Sequence, residues 1–302
     1  MGSQEIGDTG ELGLVVVNFG SASMIESNLS EVLTRFPSVV VDNFTTQDER
    51  DRVGALCTKT NSELHALDRN TGFGFAANEG AQRLLDRGCE RLLLLNPDLR
   101  IGAEEIAGLL AASRDDSEAI VAPRILNDQG QTWFKGGALD SRRVVASHVD
   151  PDGPDVPSDW LTGACLLVPT PVWRSLGGFD PDYFLYWEDV DLTNRWRRRG
   201  GSLRVVTDVT AVHSVGGTQG GGGKSLGYSY YNARNRMLFA GKRLGIAGLL
   251  RALRTAPSYK AELLKRSGAG DAGTRDDHAR AVRRGTRNGA IRGLRATLSR
   301  SR

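Results

Sequence analysis

Four consecutive leucines in "RLLLLNPDLRI", Arg91 to Ile101, stop abruptly at Asn96-Pro97-Asp98. An apolar run this short, closed by a turn signal, predicts a strand buried on both faces of a parallel sheet. In open α/β sheets ligands bind in the crevice outside the carboxyl ends of the strands, so an acid at that end is a candidate ligand-holder. The plainer reading is an Asn-Pro-Asp turn leading into a helix over "GAEEIAGLL".

The flanking sequence repeats the same alternation. "LGLVVVNFG" predicts a first strand, "MIESNLSEVLTRF" a helix, and "SVVVDNFT" a second strand ending in Asp42-Asn43. "ELHALD" reads as a short third strand, followed by a glycine-rich turn and a helix over "FAANEGAQRLLDRG" stopped by Gly88. Strands alternating with helices argue for a mainly parallel sheet. Residues from about Ala119 to Pro157 look like a mixed β and loop insertion. Beyond it come a strand, a short helix, a loop and a helix from Trp187 or Glu188, then strands over "SLRVVTDVTAVHSVGG" and a flexible "GGTQGGGGKS". From "GYSYYNARNRM" onward apolar residues recur every three or four positions, which predicts helix. No repeat of the solenoid kind is present.

A chain of 302 residues can build such a core without staples, and its three cysteines have neither CxxC nor metal-site spacing. An odd count with no secretory signal suits a reducing cytoplasm, and no apolar stretch approaches the roughly 20 residues of a membrane span. From Lys265 to Arg302 eleven basic residues face three acidic ones, so the net charge of +3 belongs to the tail. Such a block reads as a solvated or partly disordered arm, or, more sharply, as a contact with a polyanion or a peripheral contact with the inner face of a membrane. No nucleic-acid partner is expected, and the oligomeric state is not readable.

Polar groups at the ends of adjacent strands can converge on one crevice: Asp42, Asp98, Glu188-Asp189 at a helix start, and His213 at the end of a later strand. Each has a bland counterpart. Asp42 could form an Asx turn, and Glu188 and Asp189 could simply suit a helix dipole. Asp191 and Arg195 could be an ordinary i,i+4 pair, and His213 a structural histidine.

In order along the chain, Asp42, "NTGFGFAANEG", "LLLLNPD", "GAC", "GGFDPDYFLYWEDVDLTNRWRRRG" and "VHSVGG" resemble the family-two inverting glycosyltransferases of the GT-A fold, especially the rhamnosyltransferase-like branch. The resemblance runs from about Leu12 to Phe239. It implies a Rossmann-like, mostly parallel sheet flanked by helices, with a polar lead-in over 1–11, the transferase domain over 12–239 and a basic helical extension, partly disordered, over 240–302. It implies a sugar, most readily L-rhamnose from dTDP-L-rhamnose with UDP-sugars next, moved to a hydroxyl of a glycan or lipid-linked acceptor in the cytoplasm.

The resemblance also assigns residues. Asp98 and His213 would hold Mn²⁺ or Mg²⁺, with Asn96 standing where such families carry a first aspartate and so removing one negative charge. Asp189 would be the base that takes the acceptor proton, and Glu188 an acceptor contact. Asp42 would bind the pyrimidine above Asn18 and Gly20, with Arg69, Asn70 and Gly74 at the nucleotide and Thr162 and Gly163 along the sugar. Trp187 could stack on a sugar face or pack in the core, and Arg234 could reach the diphosphate or belong to a surface helix. The rival from another class is an NAD(P)-dependent oxidoreductase: Gly72-Phe-Gly74-Phe-Ala-Ala77 fits a loose G-x-G-x-x-A, although two strands later than a dinucleotide fingerprint normally sits. A non-catalytic nucleotide-sugar-binding protein is the other.

Overall fold

A computed structural model of the chain describes residues 10–214 and 224–299. Most of the expected polar lead-in and of the glycine-rich stretch "GGTQGGGGKS" lie outside the described residues. In chain order the elements are β1 (Leu12–Asn18), α1 (Ala22–Arg35), β2 (Ser38–Asp42), α2 (Gln47–Thr60), β3 (Glu63–Ala66), α3 (Phe73–Asp86), β4 (Arg91–Leu95), β5 (Leu99–Arg100), α4 (Ala103–Asp115), β6 (Ile120–Leu126), β7 (Thr132–Phe134), β8 (Gly137–Asp140) and β9 (Val145–His148). There follow β10 (Cys165–Pro169), α5 (Thr170–Leu176), α6 (Glu188–Arg197), β11 (Leu203–His213), α7 (Leu226–Arg254), α8 (Ala256–Arg266) and α9 (Ala272–Ser299). They form two compact units: one holds the residues up to Gly137, His148–Phe184 and Glu188 to the end of β11, the other Ala138–Ser147, Leu185–Trp187 and the described residues from 224.

The first unit is built on one sheet in the order β3-β2-β1-β4-β10-β6-β11-β5, with β7 added on β6. β1 pairs in parallel with β2 and β4, and every residue of the three strands is buried. That sandwiching by helices is why the Val and Leu runs show no alternation. β10 runs antiparallel to both of its neighbours, β4 and β6.

β6 is a correction to the expected insertion, since its seven residues belong to the main sheet and only the segment after Leu126 is inserted. Pro123 hid it, because a proline argues against an inner strand. The sheet accommodates Pro123 where its partner is irregular: the register of β11 shifts between Val206, opposite Pro123, and Thr210, opposite Arg124.

The second unit is helical, apart from the β8–β9 pair that reaches it. Phe239, where the resemblance ends, lies inside α7, and Gly245, at φ +66°, breaks that helix into two segments. α9 packs along α7 through glycines: a Cβ on Gly289 would come within 2.1 Å of the Arg234 carbonyl oxygen. The basic tail, expected to be partly disordered, is thus a 28-residue helix over Ala272–Ser299, because small residues four apart let two backbones meet. At the core of this unit Arg236 is fully buried, donating to the carbonyls of Val144, Ala252 and Arg143 at 2.7, 3.0 and 2.6 Å. Burial lowers its pKa to about 10, so the guanidinium remains charged at neutral pH.

Candidate active site

Parallel pairing sets the carboxyl ends of β1, β2 and β4 side by side, with Asn18 opposite Asp42. Asn18 donates from Nδ2 to Asp42 Oδ1 at 3.2 Å, and Arg50 of α2 donates from Nε to Asp42 Oδ2 at 2.7 Å. The Asp42 carboxylate therefore reaches across the strand ends and is not closing an Asx turn. Asn18 also accepts the Ser21 N–H at 2.9 Å, tying the Phe19-Gly20 turn, with Gly20 at φ +70°, to the start of α1.

Asn43, which no motif marked, organises the next loop. Its Oδ1 accepts the Thr71 N–H at 2.8 Å and its Nδ2 donates to Asn70 Oδ1 at 3.0 Å, while Asn70 Oδ1 accepts the Gly72 N–H at 2.9 Å. Gly72 has φ +87°, and a Cβ there would sit 2.2 Å from the Phe184 carbonyl oxygen, which also accepts the Phe73 N–H at 2.9 Å. The glycine loop thus serves a backbone contact, and the N–H groups of Gly72 and Phe73 are engaged within the protein rather than forming an open pyrophosphate cradle. Gly74 lets α3 approach the segment ahead of α6: a Cβ would lie 3.1 Å from Phe179 and 3.6 Å from Glu188. Arg69 is exposed beside this loop.

After β4, the Asn96 N–H donates to the Ala164 carbonyl at 2.9 Å. Asp98 is buried, with Oδ1 3.1 Å from His213 Nε2, a meeting fixed by the antiparallel pairing of His213 with Leu99. Trp133 of β7 stacks on the His213 ring, centroids 4.6 Å apart, and meets the ring of His148 edge-on at 4.9 Å. His213 Nδ1 is buried with no hydrogen-bond partner among the described residues. Trp133 was invisible to sequence reasoning because a single tryptophan in a loop-rich insertion carries no spacing signal.

Asp189, in the first turn of α6, accepts the Gly163 N–H on Oδ2 at 3.0 Å and the Val190 N–H on Oδ1 at 2.7 Å. Ala164, next to Gly163, is the residue whose carbonyl holds Asn96, so Asp189 and Asp98 are joined through a short covalent and hydrogen-bonded path. Thr162 is buried beside it and accepts the Ala164 N–H at 3.3 Å. The Asp189 pKa is raised from its ordinary value by burial, an effect that the Gly163 and Val190 N–H groups partly offset. Glu188 is pushed well above its ordinary value, first by burial and then by the charge of Asp189, and its Oε2 has no partner among the described residues. Asp191 and Arg195 are not an ordinary surface pair. Asp191 is fully buried, and Arg195 binds it at 2.8 Å while donating to the carbonyls of Leu176 and Gly178 at 2.5 and 2.6 Å.

Two expected binding residues belong to the second unit. Trp187 is 4% exposed and packs on Phe239, ring centroids 5.4 Å apart, which is the core-packing reading. Arg234 is 6% exposed and donates to Asn235 Oδ1, so the surface-helix reading fails. Asn235 in turn donates to the Leu185 and Tyr186 carbonyls at 2.8 and 2.7 Å, clamping Tyr186 and Trp187 at φ +67° and +73°. Left-handed aromatic residues cost about 1–3 kcal/mol each and persist only where surroundings hold them. Here the strained pair directly precedes Glu188-Asp189 in sequence.

Among the described residues no three of His, Cys, Asp and Glu gather as a complete metal cage. Asp98 and His213 do suit an ion that draws its remaining ligands from phosphate oxygens: a hard carboxylate and an imidazole within 3.1 Å of each other.

No protein-family model matches the chain. It is 27% identical over 212 residues to the low-salt glycan biosynthesis hexosyltransferase Agl10 of Haloferax volcanii, covering 68% of this chain and 67% of that one. It is also 27% identical over 236 residues to the N-acetylglucosaminyl-diphospho-decaprenol L-rhamnosyltransferase of Mycobacterium tuberculosis, covering 68% and 76%. Among solved structures, GalNAc-T7 with UDP, GalNAc and Mn²⁺ superposes with a TM-score of 0.59 at 17% identity, over 89% of this chain and 55% of that longer one. By its sequence and its fold the chain is a glycosyltransferase of the GT-A fold that resembles the rhamnosyltransferase branch.

Proposed function

We propose that the chain transfers L-rhamnose from dTDP-L-rhamnose to a hydroxyl of a glycan or lipid-linked acceptor, with inversion at the anomeric carbon and with help from a divalent ion. The observation that carries this reading is the joined arrangement of Asp98, His213 and Asp189 at the strand ends: an acid–imidazole pair 3.1 Å apart, linked through Asn96 and Ala164 to a carboxylate held by the Gly163 N–H.

Asp189 is suited to be the base. Partly buried yet held by two N–H groups, its carboxylate stays available to take the acceptor proton as the hydroxyl oxygen attacks opposite the diphosphate. The new C–O bond forms as the bond to the diphosphate breaks, and the nucleoside diphosphate departs. Glu188, whose pKa burial raises well above its ordinary value, has Oε2 without a partner among the described residues and is placed as a contact for the acceptor. Asp98 and His213 would hold Mn²⁺ or Mg²⁺, which when bound neutralises charge on the departing diphosphate. Trp133, stacked on His213, fixes the plane of an imidazole whose Nδ1 finds no hydrogen-bond partner among the described residues. Asp42 presents its carboxylate to the pyrimidine, Asn18 and Arg50 holding it in place.

The mycobacterial relative's name supports rhamnose as the donor sugar, and the structure holding UDP and Mn²⁺ supports a metal-assisted nucleotide-sugar site. A UDP-sugar donor is the alternative. The test is release of dTDP from dTDP-L-rhamnose, compared with release of UDP from UDP-sugars, in the presence of Mn²⁺, Mg²⁺ or EDTA. Metal-dependent release from dTDP-L-rhamnose alone is the expected result; turnover undiminished by EDTA rejects the role of Asp98 and His213, and selective use of UDP-sugars rejects the donor.

A further inference from the structure

The second unit carries a concentration of apolar surface that its own packing does not use. Of the ten large hydrophobic residues exposed among the described residues, seven lie on two of its helices: Leu226 at the start of α7, and six that fall in two groups, Ile246, Leu250 and Leu253 in α7 after the Gly245 break and Ile291, Leu294 and Leu298 in α9. Each trio recurs at helical spacing and so forms a row on one face of its helix. In α9 the row stands opposite Gly285, Gly289 and Gly293, the glycines seated against α7, so it points away from the helix–helix contact.

The charge around these rows has one sign. α7 contains no acidic residue, and α9 has none after Asp277. Arg283, Arg287 and Arg295 are exposed on the outward half of α9, and Arg254 is exposed at the end of α7. Aliphatic side chains bordered by arginines are the pattern of a helix lying in a membrane interface, apolar face toward the acyl chains and cations among the headgroups. A second copy of the same face would oppose arginine to arginine, and a nucleic acid would find aliphatic side chains where aromatic ones would stack. No described helix is long and apolar enough to cross a membrane. We propose that the outward faces of α9 and of α7 beyond Gly245 dock on an anionic lipid surface, through inserted aliphatic side chains as well as through charge.

The experiment is flotation of the full chain with vesicles of phosphatidylcholine alone or with roughly a third phosphatidylglycerol, at about 0.1 M and about 0.5 M salt. The protein is expected to float with the anionic vesicles and not with the neutral ones, and part of the binding survives high salt. The triple substitution Ile291→Ser, Leu294→Ser, Leu298→Ser is expected to reduce the bound fraction about tenfold or more with Tm nearly unchanged, since all three side chains are exposed. Arg283→Glu with Arg287→Glu, which leaves the aliphatic rows intact, is expected to abolish selection for the anionic vesicles. Failure of the wild-type chain to float overturns the proposal, as does flotation unchanged by either set of substitutions. A wild-type dimer in sedimentation that the serine variant converts to monomer overturns it in favour of a second copy as the occupant.

Discussion

Arg236 in α7 and His213 at the end of β11 are both buried polar side chains, and the protein treats them differently. Arg236 donates to three backbone carbonyls and lies 4.5 Å from the centre of the Tyr259 ring. His213 faces Asp98 on one side and has Nδ1 without a partner on the other, and Glu188 Oε2 is similarly unpartnered among the described residues. Leaving a buried polar group unsatisfied costs about 1–3 kcal/mol. The contrast separates buried polarity that closes on itself from buried polarity left without a partner among the described residues, and we propose that the second kind serves a ligand.

The sharpest way to break that distinction is to remove the charge from Asp189. Asp189→Asn is expected to lower turnover by about 10²–10⁴-fold while metal-dependent nucleotide binding persists; a calorimetric titration showing that binding is lost would move Asp189 from base to structural group. Because its pKa is raised by burial, turnover should fall with decreasing pH at a higher pH than an unperturbed aspartate would give. A pH–rate profile showing full activity down to the ordinary carboxylate range would contradict the assignment.

On the structural side, Arg236→Leu leaves three backbone carbonyls without their donor, those of Val144 and Ala252 in buried contacts, and is expected to destabilise the protein by about 3 kcal/mol in denaturant unfolding. A neutral result would mean that Arg236 is as replaceable as a surface arginine. Trp133→Ala should weaken Mn²⁺ affinity in the presence of dTDP by about 10–100-fold, as removal of a ligand's support generally does, with Trp133→Phe recovering most of it. Equal affinities in all three proteins would show that stacking does not position His213.

The smallest effect concerns Glu188. Its folded-state pKa is raised, so the folded protein binds the proton more tightly than the unfolded chain, and stability falls as pH rises from the unfolded value of 4.5 toward the folded one. Glu188→Gln should therefore raise Tm at neutral pH and lose that advantage below pH 4.5. A Tm difference independent of pH would show that burial does not raise the Glu188 pKa.

Much of the first unit was legible because parallel strands buried on both faces leave uninterrupted Val and Leu runs, which polar residues punctuate at the ends of β1 and β2 and directly after β4. β6 was not, since Pro123 and Arg124 interrupt its apolar pattern and only the irregular partner strand accommodates them. Arg50 and Asn43 were missed for a related reason: their partners, Asp42 and the 70–72 turn, are set by tertiary pairing that no local spacing encodes. α9 is the opposite case. Its glycines at 285, 289 and 293 repeat every four residues, a close-packing signal present in the sequence but masked by the arginines between them.

The central claim, that the strand-end polar groups are kept for a metal-bound nucleoside diphosphate, is tested most directly by a thermal-shift panel of dTDP, UDP, GDP and NAD, each with Mn²⁺, Mg²⁺ or EDTA, on the wild-type chain and on Asp98→Ala. Stabilisation by dTDP only when metal is present, and its loss in Asp98→Ala, is the predicted result. Stabilisation by NAD regardless of metal, or by dTDP equally in EDTA and in Asp98→Ala, would contradict it.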